Sequence, residues 1–136
     1  KGGLVNLVEI HGNRQKLRCV ECGNRESLGE IVPLFAPDPC DVCGGLVKFD
    51  TVMFGEPIPD DVMAAARAEI DSADCVLAIG TSATVRPASG LLWIAEAAGA
   101  KIVEINPTET KLTPLSEVSL RATAGQALPA VLNALS

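Results

Sequence analysis

Apolar and polar positions change their period several times along the chain, and each change marks an element. In "PDDVMAAARAEIDSAD", Val62, Ala66 and Ile70 recur at four-residue spacing. This predicts a helix from about Asp60 to Ser72, with Asp60 and Asp61 at the positive end of its dipole. "CVLAIG" is a continuous apolar run closed by glycine, the pattern of a central parallel strand buried on both faces. "ASGLLWIAEAAG" reads as a helix ended by Gly99, and "KIVEIN" as a second strand. "ALPAVLNAL" sets Leu128, Val131, Leu132 and Leu135 on one helical face, expected to pack on the sheet, with Pro129 in the first turn. The opening "LVNLVEI" is a further strand candidate, placing His11 and Gly12 at or just beyond its carboxyl end, the edge where open α/β sheets bind ligands. Alternation of helix and apolar strand from Val52 onward predicts parallel α/β structure.

Composition changes this picture in one place. Four of the five cysteines and three prolines fall between Arg18 and Asp50, which reads as a small loop-rich module rather than more of the sheet. The 136 residues suffice for one domain, and a fold of this size buries roughly two thirds of its unfolded surface. An apolar fraction of 48% and a mean hydropathy of +0.30 are high, yet no apolar run reaches the ~18 to 20 residues of a membrane span. The net charge of −6 argues against a general nucleic-acid binder, which needs clustered Lys and Arg to displace counterions. "KGGLVNLVEI" lacks the long apolar core of a secretory signal, and the cysteines pair as metal ligands do, so a cytoplasmic location is expected.

Cys19, Cys22, Cys40 and Cys43 spell CxxC, seventeen intervening residues, then CxxC. Two such hooks let four thiolates converge tetrahedrally on zinc, and the glycines of "CGN" and "CGG" allow the tight path after each hook. Two disulfides or free thiols are the alternative. A site of four cysteines is closed, so its zinc is structural and does not need His11, the sole histidine. Cys75, inside an apolar run, reads as a buried small hydrophobe.

With the hooks lying between "EIHGN" and "VMFGEPIP", followed by "AIGTSATVRPA" and "VEINP", the chain resembles the C-terminal part of a sirtuin, the family of NAD-dependent protein lysine deacylases. Five blocks agree in order over essentially the whole chain. The resemblance implies a partial Rossmann-like parallel sheet formed by 1–17 and 51–136, with a zinc-ribbon module inserted at 18–50. It implies that His11 is the catalytic base and that Cys19, Cys22, Cys40 and Cys43 hold zinc. It further implies that Gly80, Thr81 and Ser82 meet the NAD ribose and phosphates, that Asn106 meets the adenosine ribose, and that Gly125, Gln126 and Ala127 form the adenine-side loop. Val52, Phe54, Gly55 and Glu56 match the segment that pairs with the substrate peptide and flanks its acyl-lysine. Taken singly, each block has a plainer reading: a glycine turn with a hydroxyl cap for the GTS block, an edge strand and Pro-rich turn for "VMFGEPIP", a structural histidine for His11.

Sirtuins also carry, upstream, a glycine-rich phosphate loop, a flexible cofactor loop and a Gln-Asn-x-Asp block, none of which is in this sequence. The expectation is therefore a fragment whose partner is the upstream NAD-binding half of the same protein, inactive by itself, with apolar faces and a sheet edge that the other half covers. In the implied chemistry the acyl oxygen of an acyl-lysine protein attacks the ribose carbon as nicotinamide leaves, a base deprotonates a ribose hydroxyl, and O-acyl-ADP-ribose forms. Imidazole suits that base, since it titrates near 6.5. Two other readings remain open: a non-catalytic zinc-ribbon binding module, and NAD-dependent ADP-ribosyl transfer in the same family.

Overall fold

The computed structural model describes residues 4–29 and 39–136. Residues 30–38 of the expected zinc module lie outside this description. The chain divides into two compact units, Lys1–Met63 and Ala64–Ser136.

The first unit is built on an antiparallel sheet of β1 (Gly12–Cys19), β2 (Arg25–Ser27) and β3 (Val47–Thr51), in the order β2-β1-β3. Alternation explains β1: Leu17 and Cys19 point to one face and are 3% and 1% exposed, while Lys16 and Arg18 point to the other. The register with β3 shifts between Asn13 and Leu17. Asn13 Oδ1 accepts from the Gln15 amide at 2.8 Å, a local turn that takes up the extra residues. The sheet reaches from Gly12 to Thr51, wider than the 18–50 span that composition marks out.

The second unit is a parallel sheet of β4 (Cys75–Ile79), β5 (Lys101–Ile105) and β6 (Val118–Leu120), in the order β4-β5-β6. Helix α1 (Asp60–Asp71) spans the boundary between the units, α2 (Gly90–Ala97) connects β4 to β5, and α3 (Ala124–Leu135) closes the chain. Ala78, Ala83, Ala95, Ala100, Ile102 and Leu112 form the core. Gly99 ends α2 as expected: its φ is 93°, its amide donates to Glu96 O and that of Ala100 to Ala95 O, the two bonds of a Schellman motif. Among the described residues, no helix is long and apolar enough to cross a membrane.

Several expectations need correction. The stretch Leu4–Ile10 is not a strand. Leu4, Val5 and Leu7 are exposed and no strand among the described residues pairs with them; apolar content alone cannot make a strand without a ladder partner. Among the described residues, "CVLAIG" lies at the edge of its sheet and not at its centre. Ala78 faces the core, while Cys75, Leu77 and Ile79 share the opposite, exposed face, so Cys75 is not a buried hydrophobe. α3 begins at Ala124, which puts Pro129 in its second turn, and Val131, Leu132 and Leu135 are exposed rather than packed on the sheet.

Candidate functional site

The cysteine hooks share one backbone plan. In each, the amide of the first cysteine donates to the carbonyl five residues on (Cys19 to Asn24 and Cys40 to Gly45, both 2.9 Å), and its carbonyl accepts from the glycine four residues on (Gly23 at 3.1 Å, Gly44 at 2.7 Å). Both glycines have positive φ, 74° and 72°, which a side chain would strain. The result brings all four Sγ atoms within 4.8 Å of one another. Cys19 and Cys43 sulfurs are 3.5 Å apart and those of Cys22 and Cys40 are 3.7 Å apart. A tetrahedral zinc with Zn–S bonds of about 2.3 Å places its sulfurs about 3.8 Å apart, so the donor set fits zinc in type, number and spacing. As bare thiols, Cys19 and Cys43 are driven in opposite directions. The Cys22 amide draws the Cys19 thiol down to about 7. The Gly45 amide favours the Cys43 thiolate, but the Cys22 and Cys19 sulfurs outweigh it and push that thiol up to about 12. A divalent cation removes this conflict.

His11 sits in the turn just before β1 and is exposed. Its carbonyl accepts from the Val52 amide at 3.0 Å, so the histidine and the start of the expected substrate segment are joined directly. The neighbouring Gly12 explains the "HG" pair: its φ is 75°, and a Cβ there would fall inside the carbonyl of Asp50 on β3. Beyond Val52, Met53 and Phe54 are exposed, Phe54 at 94%, and Gly55 turns the chain with φ 83°. The Glu56 carboxylate folds back to accept from the Met53 amide at 3.0 Å. The close approach of Gly12 to β3 and the charges that hold Glu56 are absent from the expectations drawn from sequence; for the charges, the alternation in "KLRC" and "VKFD" is the available signal.

In the second unit, the remaining expected residues follow the carboxyl ends of successive parallel strands. Gly80 follows β4, and its amide donates to Ile105 O at 2.9 Å; Asn106 follows β5, and its amide donates to Leu120 O at 3.1 Å. Asn106 Nδ2 reaches across to Thr81 O at 3.0 Å, tying the GTS loop to the end of β5. Thr81 Oγ1 accepts from the amide of Ala83, whose φ is 53°. Gly80, with φ 64° and open space where a Cβ would stand, leaves the backbone approachable there. Ser82 Oγ lies 2.8 Å from Thr84 Oγ1. Gly125, Gln126 and Ala127 form the first turn of α3, after β6; Gln126 Oε1 caps the Thr123 amide at 3.2 Å and Ala127 is buried. This clustering at one sheet edge fits a nucleotide, since ligands of open α/β sheets bind beyond the carboxyl ends of the strands. Behind the loop, Glu104 is 1% exposed and takes hydrogen bonds from Thr110, Thr113, Ser119 and Arg121. Burial would raise its pKa, but these four donors overcome it and bring it down to about 2.

The Sir2 family model matches residues 1–87. The chain is 41% identical over 129 residues to NAD-dependent protein deacylase 1 of Archaeoglobus fulgidus, covering 94% of this chain and 52% of that protein. It is 47% identical over 131 residues to an NAD-dependent protein deacylase of Thermus thermophilus, covering 94% and 50%. Among solved structures, a Sir2 homologue in complex with NAD superposes with a TM-score of 0.80 at 38% identity, covering 98% of this chain and 54% of the other. A Sir2 protein bound to a propionylated peptide gives 0.79 at 25% identity, with 97% and 57% covered. The chain thus spans about half the length of the curated relatives it matches. The chain belongs to the Sir2 family.

Proposed function

We propose that this chain forms part of an NAD-dependent protein lysine deacylase, working in a reducing compartment where its four thiolates hold zinc. The observation that carries the reading is the hydrogen bond between the Val52 amide and the His11 carbonyl, which joins an exposed imidazole to the segment that receives the acylated peptide. Phe54, an aromatic left 94% exposed beside it, gives an apolar wall for an acyl-lysine chain. Gly80, Thr81, Ser82 and Asn106 bind and orient NAD at the carboxyl edge of the parallel sheet, and the first turn of α3 flanks its adenine side. NAD, when bound, supplies a ribose carbon that accepts the acyl oxygen as nicotinamide departs. His11 takes the proton of a ribose hydroxyl on its imidazole nitrogen, so that the hydroxyl can receive the acyl group. Zinc holds Cys19, Cys22, Cys40 and Cys43 together and takes no part in bond making. The relatives' names as NAD-dependent protein deacylases support the same reaction.

The test is made on the protein as its gene encodes it. Nicotinamide release that depends on an acylated peptide is expected, and His11→Ala should lower product formation by about 10² to 10⁴ at unchanged zinc content. Nicotinamide exchange should fall less, because it reports the step before the base acts. No peptide-dependent release, or full activity in His11→Ala, overturns the reading.

A further inference from the structure

Sheet β2-β1-β3 carries an unusual row on one face. Arg18 on β1 lies directly opposite Arg25 on β2 and directly opposite Lys48 on β3, so three cations stand abreast. Like charges in facing positions repel, and water reaches the central one least: the Arg18 side chain is 11% exposed, against 32% for Arg25 and 26% for Lys48. Two carboxylates relieve Arg18 at its centre, while Asp61 takes Arg25 at 2.8 Å. Asp50 bridges Arg18 and Arg25 at 2.9 and 3.0 Å. The second comes from outside the sheet: Glu56 Oε1 accepts from Arg18 Nη2 at 3.1 Å, and the same carboxylate takes Lys48 Nζ.

Glu56 is therefore drawn inward by the row, and it carries its loop with it. Its other contact is the Met53 amide at 3.0 Å, while Lys48 Nζ also donates to Thr51 O at 2.9 Å. The bonds bracket Val52 on both sides. With the side chain committed to three donors, its remaining capacity to meet a substrate is small.

We propose that Glu56 is a positioning residue: the cation row formed by Arg18 and Lys48 seats its carboxylate, and the seated carboxylate fixes the 51–56 segment that receives the acylated peptide. This rests on the deacylase reading for the identity of the ligand, though not for the pin itself. The same strands carry the zinc hooks, since Arg18 precedes Cys19 and Lys48 follows Val47, the partner of Cys19. The peptide segment is thereby set by the zinc-bearing sheet.

The experiment compares Glu56→Gln, Lys48→Met and their double variant in the gene-encoded protein, all checked for one zinc per chain. Losing a charged hydrogen bond to a part-buried partner is worth roughly ten- to a hundred-fold. Exchange of the Met53 amide with deuterium should quicken about ten-fold or more in both single variants. KM for an acylated peptide should rise about ten-fold in both, with kcat within about three-fold, and the double variant should be little worse than either single one. Glu56→Asp should recover part of the loss. Unchanged Met53 exchange overturns the proposal. So does a KM effect confined to Glu56→Gln with Lys48→Met behaving as the parent, for then Glu56 touches the peptide itself. A parent protein inactive on acylated peptides would overturn the functional reading and the affinity half of this proposal, while Met53 exchange decides the pin by itself.

Discussion

In Lys1–Met63 the described residues bury four apolar side chains, Leu17, Cys19, Cys40 and Ile58, and two of these are cysteines of the hooks. In Ala64–Ser136 ten are buried, six of them alanines, and Ala78, Ala83, Ala95 and Ala100 cluster with Ile102 and Leu112. The described part of the first unit thus buries little apolar area around its three short strands, which are tied together by the cysteine hooks and by the cation row with its carboxylates. The second draws on the hydrophobic effect, with alanines letting helix and sheet approach closely. The site residues follow this division. Those expected to meet the peptide hang from the charge-held sheet, and those expected to meet the nucleotide from the edge of the apolar one.

Removing metal is the severest test of that difference. Structural zinc of this type is worth about 10 kcal/mol or more to a small module. A chelator at neutral pH should abolish amide protection in β1 and β3 while that of β4 and β5 survives. Loss of both sheets together would mean that the second unit also depends on the metal.

A core truncation should act in the opposite direction. Ile102 is 1% exposed at the centre of the parallel sheet, and Ile102→Ala leaves a cavity costing about 2 to 5 kcal/mol. Urea unfolding should register this through β4 and β5, with zinc content unchanged. A variant that instead loses zinc would break the separation between the units.

Much of this was legible in the sequence and some was not, for identifiable reasons. The hooks were readable because CxxC spacing is local and its glycines have a fixed backbone duty. Helix α1, strand β5 and the Gly99 stop were readable because period and capping are properties of one segment. The edge position of β4 and the exposure of Cys75 were not, since an apolar run says that a strand is suited to burial and not that a neighbour covers it. β1 was missed because "GNRQKLRC" looks polar; its part-buried Arg18 is matched by Asp50 and Glu56, more than thirty residues away. The role of Gly12 was equally hidden, since it depends on the Asp50 carbonyl across the sheet.

A single buried carboxylate sharpens the comparison next, because the apolar unit also contains a charge. The pKa of Glu104 is depressed from an ordinary 4.5 to about 2. Its stabilising effect is therefore complete above about 4.5 and is lost as pH falls towards 2. That separation corresponds to about 3 kcal/mol when unscreened, and Arg121, one third exposed, admits enough water to reduce it to about 2. Unfolding free energy measured from pH 6 to pH 2 should fall by about that amount more in the parent than in Glu104→Gln, which should already be weaker at pH 7. Parallel acid limbs for the two proteins would show that the donors around Glu104 contribute no net preference for its charged form.

The smallest effect is expected where charge has neither burial nor a row to answer. Arg67 Nε and Asp71 Oδ1 are 2.6 Å apart on successive turns of α1, closer than Arg18 and Asp50 at 2.9 Å, but their side chains are 49% and 52% exposed. Such pairs contribute about 0.3 to 0.5 kcal/mol, and salt screens them. Asp71 is also the last residue of its helix, where a negative charge meets the negative end of the dipole at a cost of similar size. The two terms oppose each other, so Asp71→Asn should change the unfolding free energy by less than about 0.5 kcal/mol, with little response to added salt. Distance alone would rank this pair with Arg18 and Asp50. A loss above about 1 kcal/mol would mean that exposure does not set the worth of charge in this protein, and the contrast between its charge-held sheet and its apolar one would need another cause.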